Sequence, residues 1–338
     1  MTVKVGIVGM GFMGRMHLSS YAQMKDVKVV AFADIDEKVR SGKTGGAGNL
    51  GDTGYAFDVK NFDNVYASAK ELIKDSSIDL IDICVPTPSH KTVFLDAVAT
   101  GKHVIVEKPI ARTVADVDAM IKAGKKAVDR VMVAQCIRFW PAYVELKKIL
   151  DSGKLGKCCS VILRRQGARN LWSPWYKKAA QSGGALFDLH VHDVDYMNYL
   201  LGKPKAVMSV GSKGQTSDNG VDHVVTNYQY GNGKVEAATA IGAWSQHGQW
   251  PFFMGFTAVF EKATLEFNGA TLLKITDKDT TEIKCAPTTG WFEELKYFTT
   301  CIKKGVAPEA NLITSTADTM KMVLAEERSI KSGKIEKV

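Results

Sequence analysis

At 338 residues, with 45% hydrophobic and 24% charged side chains, the chain has an ordinary globular composition that excludes disorder, and a length that suits two domains rather than one core. Its 44 Lys and Arg against 36 Asp and Glu leave +8, spread in pairs such as Lys125-Lys126 and Lys303-Lys304 with no nucleic-acid-binding motif, so no nucleic-acid partner is expected. No apolar run approaches the ~18–20 residues of a membrane span, and the opening Val3-Lys4-Val5-Gly6 lacks a leader pattern, so a cytoplasmic protein without a membrane partner is expected.

In chain order, nearly continuous Val/Ile/Leu runs at Val3–Val8, Val27–Asp34, Ile78–Val85 and His103–Val106 read as strands of a parallel sheet buried on both faces. Amphipathic stretches at Met13–Met24, Ser68–Lys74, His90–Thr100 and Val114–Asp129 read as the helices between them. The repetition predicts an α/β, doubly wound Rossmann domain over residues 1–134. The texture then changes. A helix over Ala142–Leu150 is followed by strands at Cys158–Arg164, Ala206–Gly211, Val221–Tyr230, Lys234–Gly242, Phe253–Phe260 and Ala263–Asn268. The Gly231-Asn232-Gly233 turn marks a hairpin, and helices at Trp291–Lys304 and Thr314–Ser332 close the chain. Residues 135–338 thus predict a second α/β domain with an antiparallel or mixed sheet. The six cysteines form no C-x-x-C pair, which argues against a disulfide framework or a zinc site.

Gly9-Met10-Gly11-Phe12-Met13-Gly14 matches the dinucleotide fingerprint, directly after a strand and opening a helix. Gly9 suits the tight turn, Gly11 lets a pyrophosphate approach the backbone, and Gly14 allows close helix–strand packing. The helix N-terminus adds free N–H groups and partial positive charge. Asp34, at the end of the second strand, suits the ribose hydroxyls and would repel a 2′-phosphate, which favours NAD. Lys38 and Arg40 keep NADP as a second option. Phe12, Met13 and Ile35 complete this part of the expected cofactor site. Gly46–Gly51 matches the same pattern without the strand and helix, and reads as a chance match in a loop.

Two further segments are Gly101-Lys102-His103-Val104-Ile105-Val106-Glu107-Lys108-Pro109 and Ser182-Gly183-Gly184 running through Asp188-Leu189-His190-Val191-His192-Asp193-Val194-Asp195. Together with the fingerprint, they make the chain resemble the glucose–fructose oxidoreductase, inositol dehydrogenase and rhizopine-catabolism (Gfo/Idh/MocA) family. The resemblance implies a C-terminal α/β domain with a large, mostly antiparallel sheet, and a homodimer or homotetramer. It implies that Lys108, Asp188 and His192 are catalytic. It also places Pro86, Thr87 and His90 near the nicotinamide and adds Glu107 to the cofactor-binding set.

The chemistry of the side chains fits those roles. Oxidising a secondary alcohol needs a base for the hydroxyl proton, which a neutral imidazole at His192 can be. The Lys108 ammonium can stabilise the developing alkoxide. Asp188 and His192, four apart, fall on one face of a helix whose Leu189, Val194, Met197 and Leu201 form an apolar stripe. Arg138, Arg165, Trp172 and Trp175 are candidate substrate-binding residues, since aromatics stack on sugar faces and Arg binds hydroxyls or carboxylates. The expected activity is NAD-dependent hydride transfer to or from a sugar, polyol or related cyclic alcohol. A redox-neutral NAD-dependent glycosidase and a non-catalytic NAD-binding regulator are the alternatives.

Overall fold

The computed structural model describes residues 1–43, 47–48, 51–52, 57–171, 174–231 and 233–338. In the first part of the chain the strands are β1 (Val3–Val8), β2 (Val27–Ala33), a two-residue ladder of β3 (Ala47–Gly48) and β4 (Gly51–Asp52), β5 (Asn64–Tyr66), β6 (Leu80–Ile83), β7 (His103–Glu107) and β8 (Val131–Ala134). Apart from the ladder, they form one all-parallel sheet in the order β5-β2-β1-β6-β7-β8. This is the doubly wound order, with its switch point between β1 and β6. The helices are α1 (Phe12–Tyr21), α2 (Glu37–Arg40), α3 (Ala69–Ile73), α4 (Thr87–Ala99) and α5 (Val114–Lys125).

Local chemistry sets several of these boundaries. Ser68 and Glu71 form a reciprocal capping box at α3, and Thr113 Oγ1 accepts from the Asp116 N–H at 3.2 Å to start α5. Helix α4 begins at Thr87, three residues before the expected start, because a proline is tolerated in a first turn whose N–H groups have no helical partner. The sequence reading lacks β5 and β8. The first is a short edge strand with little burial, and the second is a four-residue apolar run too brief to carry a period.

Farther along are α6 (Pro141–Ser152), β9 (Cys158–Ala168), α7 (Pro174–Lys177), α8 (Ala179–Ser182), a π-helical turn over Leu186–His190 and α9 (Val191–Leu201). Strands β10 (Ala206–Lys213), β11 (Val221–Gln229), β12 (Val235–Gln246), β13 (Phe253–Phe260), β14 (Thr264–Phe267), β15 (Leu272–Ile275) and β16 (Thr280–Ile283) follow. Helices α10 (Gly290–Lys304) and α11 (Ile313–Ser332) precede the last strand, β17 (Glu336–Lys337). A nine-stranded sheet runs β16-β15-β14-β13-β9-β12-β11-β10-β17. Among the described residues its pairs are antiparallel except β9–β12. Tyr143 sits at the centre of an aromatic cluster, edge-on to Tyr196 at 4.8 Å and to Phe256 at 5.1 Å.

The chain packs as two units, each built from two segments: Met1–Cys136 with Thr289–Ala317, and Ile137–Thr288 with Asp318–Val338. One cut at 134/135 therefore does not describe the first unit. Leu295, Phe298 and Ile302 of α10 share a core with Val3, Val5, Ile7, Tyr21 and Leu80, so the apolar face of α10 is buried against a sheet whose strands lie more than 150 residues earlier in sequence. Among the described residues, no helix is long and apolar enough to cross a membrane, and all six cysteines are free.

Candidate functional site

In the first unit, the expected cofactor residues gather at the carboxyl edge of the parallel sheet. Gly9 follows β1 with φ +94°, and a Cβ there would meet the Cys84 carbonyl oxygen at 2.8 Å. A Cβ on Gly14 would lie 2.0 Å from the Gly9 carbonyl oxygen. Among the described residues nothing lies within 4 Å of a Cβ added at Gly11, and no side chain caps the first turn of α1. The turn therefore leaves an open, N–H-lined cradle at a helix N-terminus, which fits a pyrophosphate. Asp34, just past β2, closes the turn: its Oδ2 accepts from the Met10 N–H at 2.9 Å and its Oδ1 from the Asp36 N–H at 2.9 Å. Ile35 beside it is 92% exposed, and Arg40 donates to the Asp34 carbonyl at 2.9 Å. Phe12 and Met13 are half-buried in the first turn of α1. Of the second glycine pattern, Gly46, Asn49 and Leu50 lie outside the described residues.

The Gly14→Ala variant is expected to lose about 1–3 kcal/mol of stability, because the new methyl meets backbone that cannot step aside. Its affinity for NAD should fall in parallel. Denaturant unfolding and calorimetric titration with NAD check both.

Pro86 caps α4 and Thr87 is buried in its first turn. His90 differs from its expected role. It is buried, with Nε2 at 2.8 Å from the Val85 carbonyl oxygen and Nδ1 at 3.0 Å from that of Pro109. Both nitrogens thus face protein backbone, so the ring ties the loop after β6 to the loop after β7 instead of facing a cofactor. Glu107 is likewise turned inward: Oε1 lies 3.2 Å from His17 Nε2, and Oε2 accepts from the Lys108 N–H at 3.0 Å. Lys108 follows the end of β7 and is half-buried.

His17 and Asp82 are functional candidates that the sequence reading passes over. His17 Nδ1 is 2.8 Å from Asp82 Oδ2, the Tyr21 hydroxyl donates to the same oxygen at 3.0 Å, and the Cys84 thiol donates to Asp82 Oδ1 at 3.3 Å. The available signal was Asp82 itself, an acid inside an otherwise apolar strand, which is tolerable only with a buried partner. Among the described residues, His17, Asp82 and Cys84 are the cluster that brings three metal-ligand-type atoms within 4.8 Å. The 2.8 Å His–Asp separation is that of a hydrogen bond, shorter than the about 3.3 Å that two ~2.0 Å bonds at a tetrahedral angle impose.

Burial alone would discharge His17, but the adjacent Asp82 outweighs it and holds the imidazole well above the ordinary histidine value. A base raised in the folded state stabilises fully below its unfolded value of ~6.5, and that contribution is lost as pH rises through the folded value. The stability difference between the wild type and His17→Gln is therefore expected to be largest in mild acid and to shrink on the alkaline side. Denaturation midpoints of both proteins across that range test the sign.

In the second unit, Asp188 and His192 lie on one helical stretch, but not on a plain α-helix. Asp188 sits in the π-helical turn, whose i→i+5 bonds widen the winding just before α9. Asp188 is buried and accepts from the Trp244 indole N–H at 3.1 Å. His192 is half-buried, and the expected stripe of Leu189, Val194, Met197 and Leu201 is buried. His190 points elsewhere, with Nε2 3.1 Å from Glu326 in the interior.

Arg138 and Arg165 depart from the expected substrate-binding role. Arg138 grips Asp195 through two bonds of 2.7 Å, and Arg165 grips Asp193 at 2.8 and 3.1 Å, all four side chains being buried. Each guanidinium has taken up its charge complement inside the protein. The pairs instead anchor α9 at the residues flanking position 194, next to His192. Trp175 is half-buried, edge-on to Tyr176 at 4.7 Å. Trp172 lies outside the described residues. Trp244 emerges as the tryptophan tied to the candidate site, whereas Trp250 is 50% exposed.

A doubly wound unit whose glycine turn opens a helix N-terminus beside a terminal acid, in a chain that also carries a unit with a large mixed sheet, defines a two-unit α/β architecture of nucleotide-binding type. Residues 3–135 match the family model described as oxidoreductase family, NAD-binding Rossmann fold, and residues 143–266 match the Gfo/Idh/MocA C-terminal domain; the chain belongs to the Gfo/Idh/MocA family. It is 31% identical over 219 residues to an inositol 2-dehydrogenase of Salmonella typhimurium, a match that covers 64% of this chain and 60% of the relative. It is 30% identical over 226 residues to a levoglucosan dehydrogenase of Pseudarthrobacter phenanthrenivorans, covering 62% and 53%. The chain thus spans less than two thirds of the length of these curated relatives. The crystal structure of aldose-aldose oxidoreductase from Caulobacter crescentus complexed with glycerol shares the fold, with a TM-score of 0.84 at 22% identity over the whole of both chains.

Proposed function

We propose that the protein is an NAD-dependent dehydrogenase that moves a hydride between the nicotinamide and a secondary alcohol of a sugar, polyol or related cyclic alcohol. One observation carries the reading. The glycine turn, Asp34, Pro86-Thr87 and Lys108 all follow the carboxyl ends of strands in a single parallel sheet, the edge where such sheets take nucleotides. When bound, NAD supplies the hydride acceptor. Gly9–Gly14 hold its pyrophosphate and Asp34 its ribose, so a 2′-phosphate meets a carboxylate and NAD is preferred over NADP. Lys108 donates to the substrate hydroxyl oxygen and stabilises the alkoxide, His192 takes the proton, and Asp188, fixed by Trp244, orients a second hydroxyl. The cyclic polyol and anhydrosugar in the names of the relatives support that substrate class. A homo-oligomer formed through the large sheet belongs to the same reading.

The test is incubation with NAD and, separately, myo-inositol, levoglucosan and simple aldoses while reduced-nicotinamide absorbance is followed. Accumulation of NADH is expected. Glycoside cleavage without NADH would replace the reading with redox-neutral chemistry, and NAD binding without turnover on any sugar or glycoside would replace it with a regulator.

A further inference from the structure

Lys108 is held from behind by a row of buried ionisable groups to which the proposed chemistry assigns no part. The row begins at Asp82 in the middle of the sheet, passes through His17 of α1 at 2.8 Å and reaches Glu107 at 3.2 Å. It ends where the second oxygen of Glu107 accepts the Lys108 backbone N–H at 3.0 Å. We propose that His17 is a positioning residue: held as an imidazolium between Asp82 and Glu107, it locks the carboxylate that fixes the Lys108 backbone and so sets where the Lys108 amine stands. The inference rests on the reading of Lys108 as the proton-handling amine.

Both ring nitrogens stand close to carboxylate oxygens: Nδ1 is hydrogen-bonded to Asp82 at 2.8 Å, and Nε2 lies in ion-pair range of Glu107 at 3.2 Å without the alignment of a hydrogen bond. An ionised carboxylate only accepts, and each nitrogen of His17 faces a carboxylate oxygen. A neutral ring would set one lone pair against an oxygen in a fully buried site, where an unpaired polar atom is most costly. The groups facing the ring come from every side. Asp82 and Cys84 belong to β6 and its end, Glu107 ends β7, and Tyr21 on α1 donates to Asp82. Glu294 of α10 lies near Tyr21 and adds a carboxylate behind the cluster. These groups include three carboxylates, with His17 as the cation among them. The direction of the His17 shift agrees. Without the cation, Glu107 faces Asp82 across an uncompensated gap, and its hold on Lys108 loosens. A misplacement of even ~1 Å in a reacting group can cost on the order of 100-fold in rate.

The experiment uses the full chain with NAD and the sugar or polyol that turns over in the panel above. Nitrogen NMR of histidine-labelled wild type is expected to show His17 doubly protonated from mild acid past neutral pH; a neutral ring there overturns the proposal. In His17→Gln, kcat per NAD-binding site is expected to fall on the order of 10- to 100-fold, with NAD affinity and KM little changed. A merely structural role would lower binding stoichiometry and total activity in step, leaving kcat per site at the wild-type value, and that result also overturns it. Should His17→Gln not fold, the NMR measurement on wild type still decides. Lys108→Ala separates the two readings. If that variant stays active, the Lys108 assignment fails; if it is dead while His17→Gln keeps full kcat per site, only the His17 proposal fails.

Discussion

Lys108→Ala is expected to abolish measurable turnover, a loss on the order of 10²–10⁴-fold from proton handling alone, while NAD affinity changes little. The two effects separate because different atoms carry them. In the proposed reading, cofactor affinity draws on backbone N–H groups at the start of α1 and on the Asp34 carboxylate. Glu107 accepts from the Lys108 backbone N–H, a contact that truncating the side chain keeps. Stopped-flow turnover and calorimetric NAD binding on the same preparation measure both quantities. Full activity in the variant would remove Lys108 from the catalytic assignment, and a parallel loss of NAD binding would make it a cofactor residue.

The second large effect is structural and arises where a ligand contact was expected. Arg138→Met is expected to cost about 3–5 kcal/mol, because it leaves Asp195 charged in the interior without its partner. The residual hydrogen bond from Thr319 to Asp195, 2.8 Å, offsets only part of that. Pairing Arg138→Met with Asp195→Leu should recover most of the loss, since an apolar pair of similar volume removes the buried charge altogether. The exposed pair Lys28–Asp63, with side chains 55% and 57% exposed, is the control, and breaking it should cost under about 1 kcal/mol. Chemical denaturation monitored by tryptophan fluorescence gives all three numbers. A substrate-binding Arg138 would behave in the opposite way, raising KM with stability intact.

The two outcomes differ because of where their information lies in the chain. The glycine turn was legible because two of its glycines answer a local demand within six residues: a positive φ at Gly9 and a backbone contact at Gly14. Asp34 was legible because it ends an apolar run. The partners of Arg138 and Arg165 were not. A guanidinium beside aromatics reads the same in sequence whether it meets a sugar or a carboxylate, and here the carboxylates are 57 and 28 residues away. The partners of His90 are hidden for a similar reason. Its position after the Pro86-Thr87-Pro88 turn was right, yet which way its ring faces depended on the Pro109 carbonyl, brought close only when β6 and β7 pair. The π-helical turn at Asp188 left no period to detect, being a single widened turn in an otherwise helical pattern.

The sequence by itself determined the class of fold, the glycine turn with the acid that closes it, and the motif that places Lys108 at the end of β7, because apolar periodicity and glycine stereochemistry act over a few residues. Only the tertiary structure decided that α10 belongs with the first unit, that Arg138 and Arg165 are committed to Asp195 and Asp193, and that Trp244 holds Asp188. It also decided that His17 stands between Asp82 and Glu107. Each of those is a pairing of buried charges, polar atoms or apolar faces across long stretches of chain. Such partners are chosen by which surfaces the packed sheets bring together, and the strength of the choice comes from the cost of burying a polar group without one.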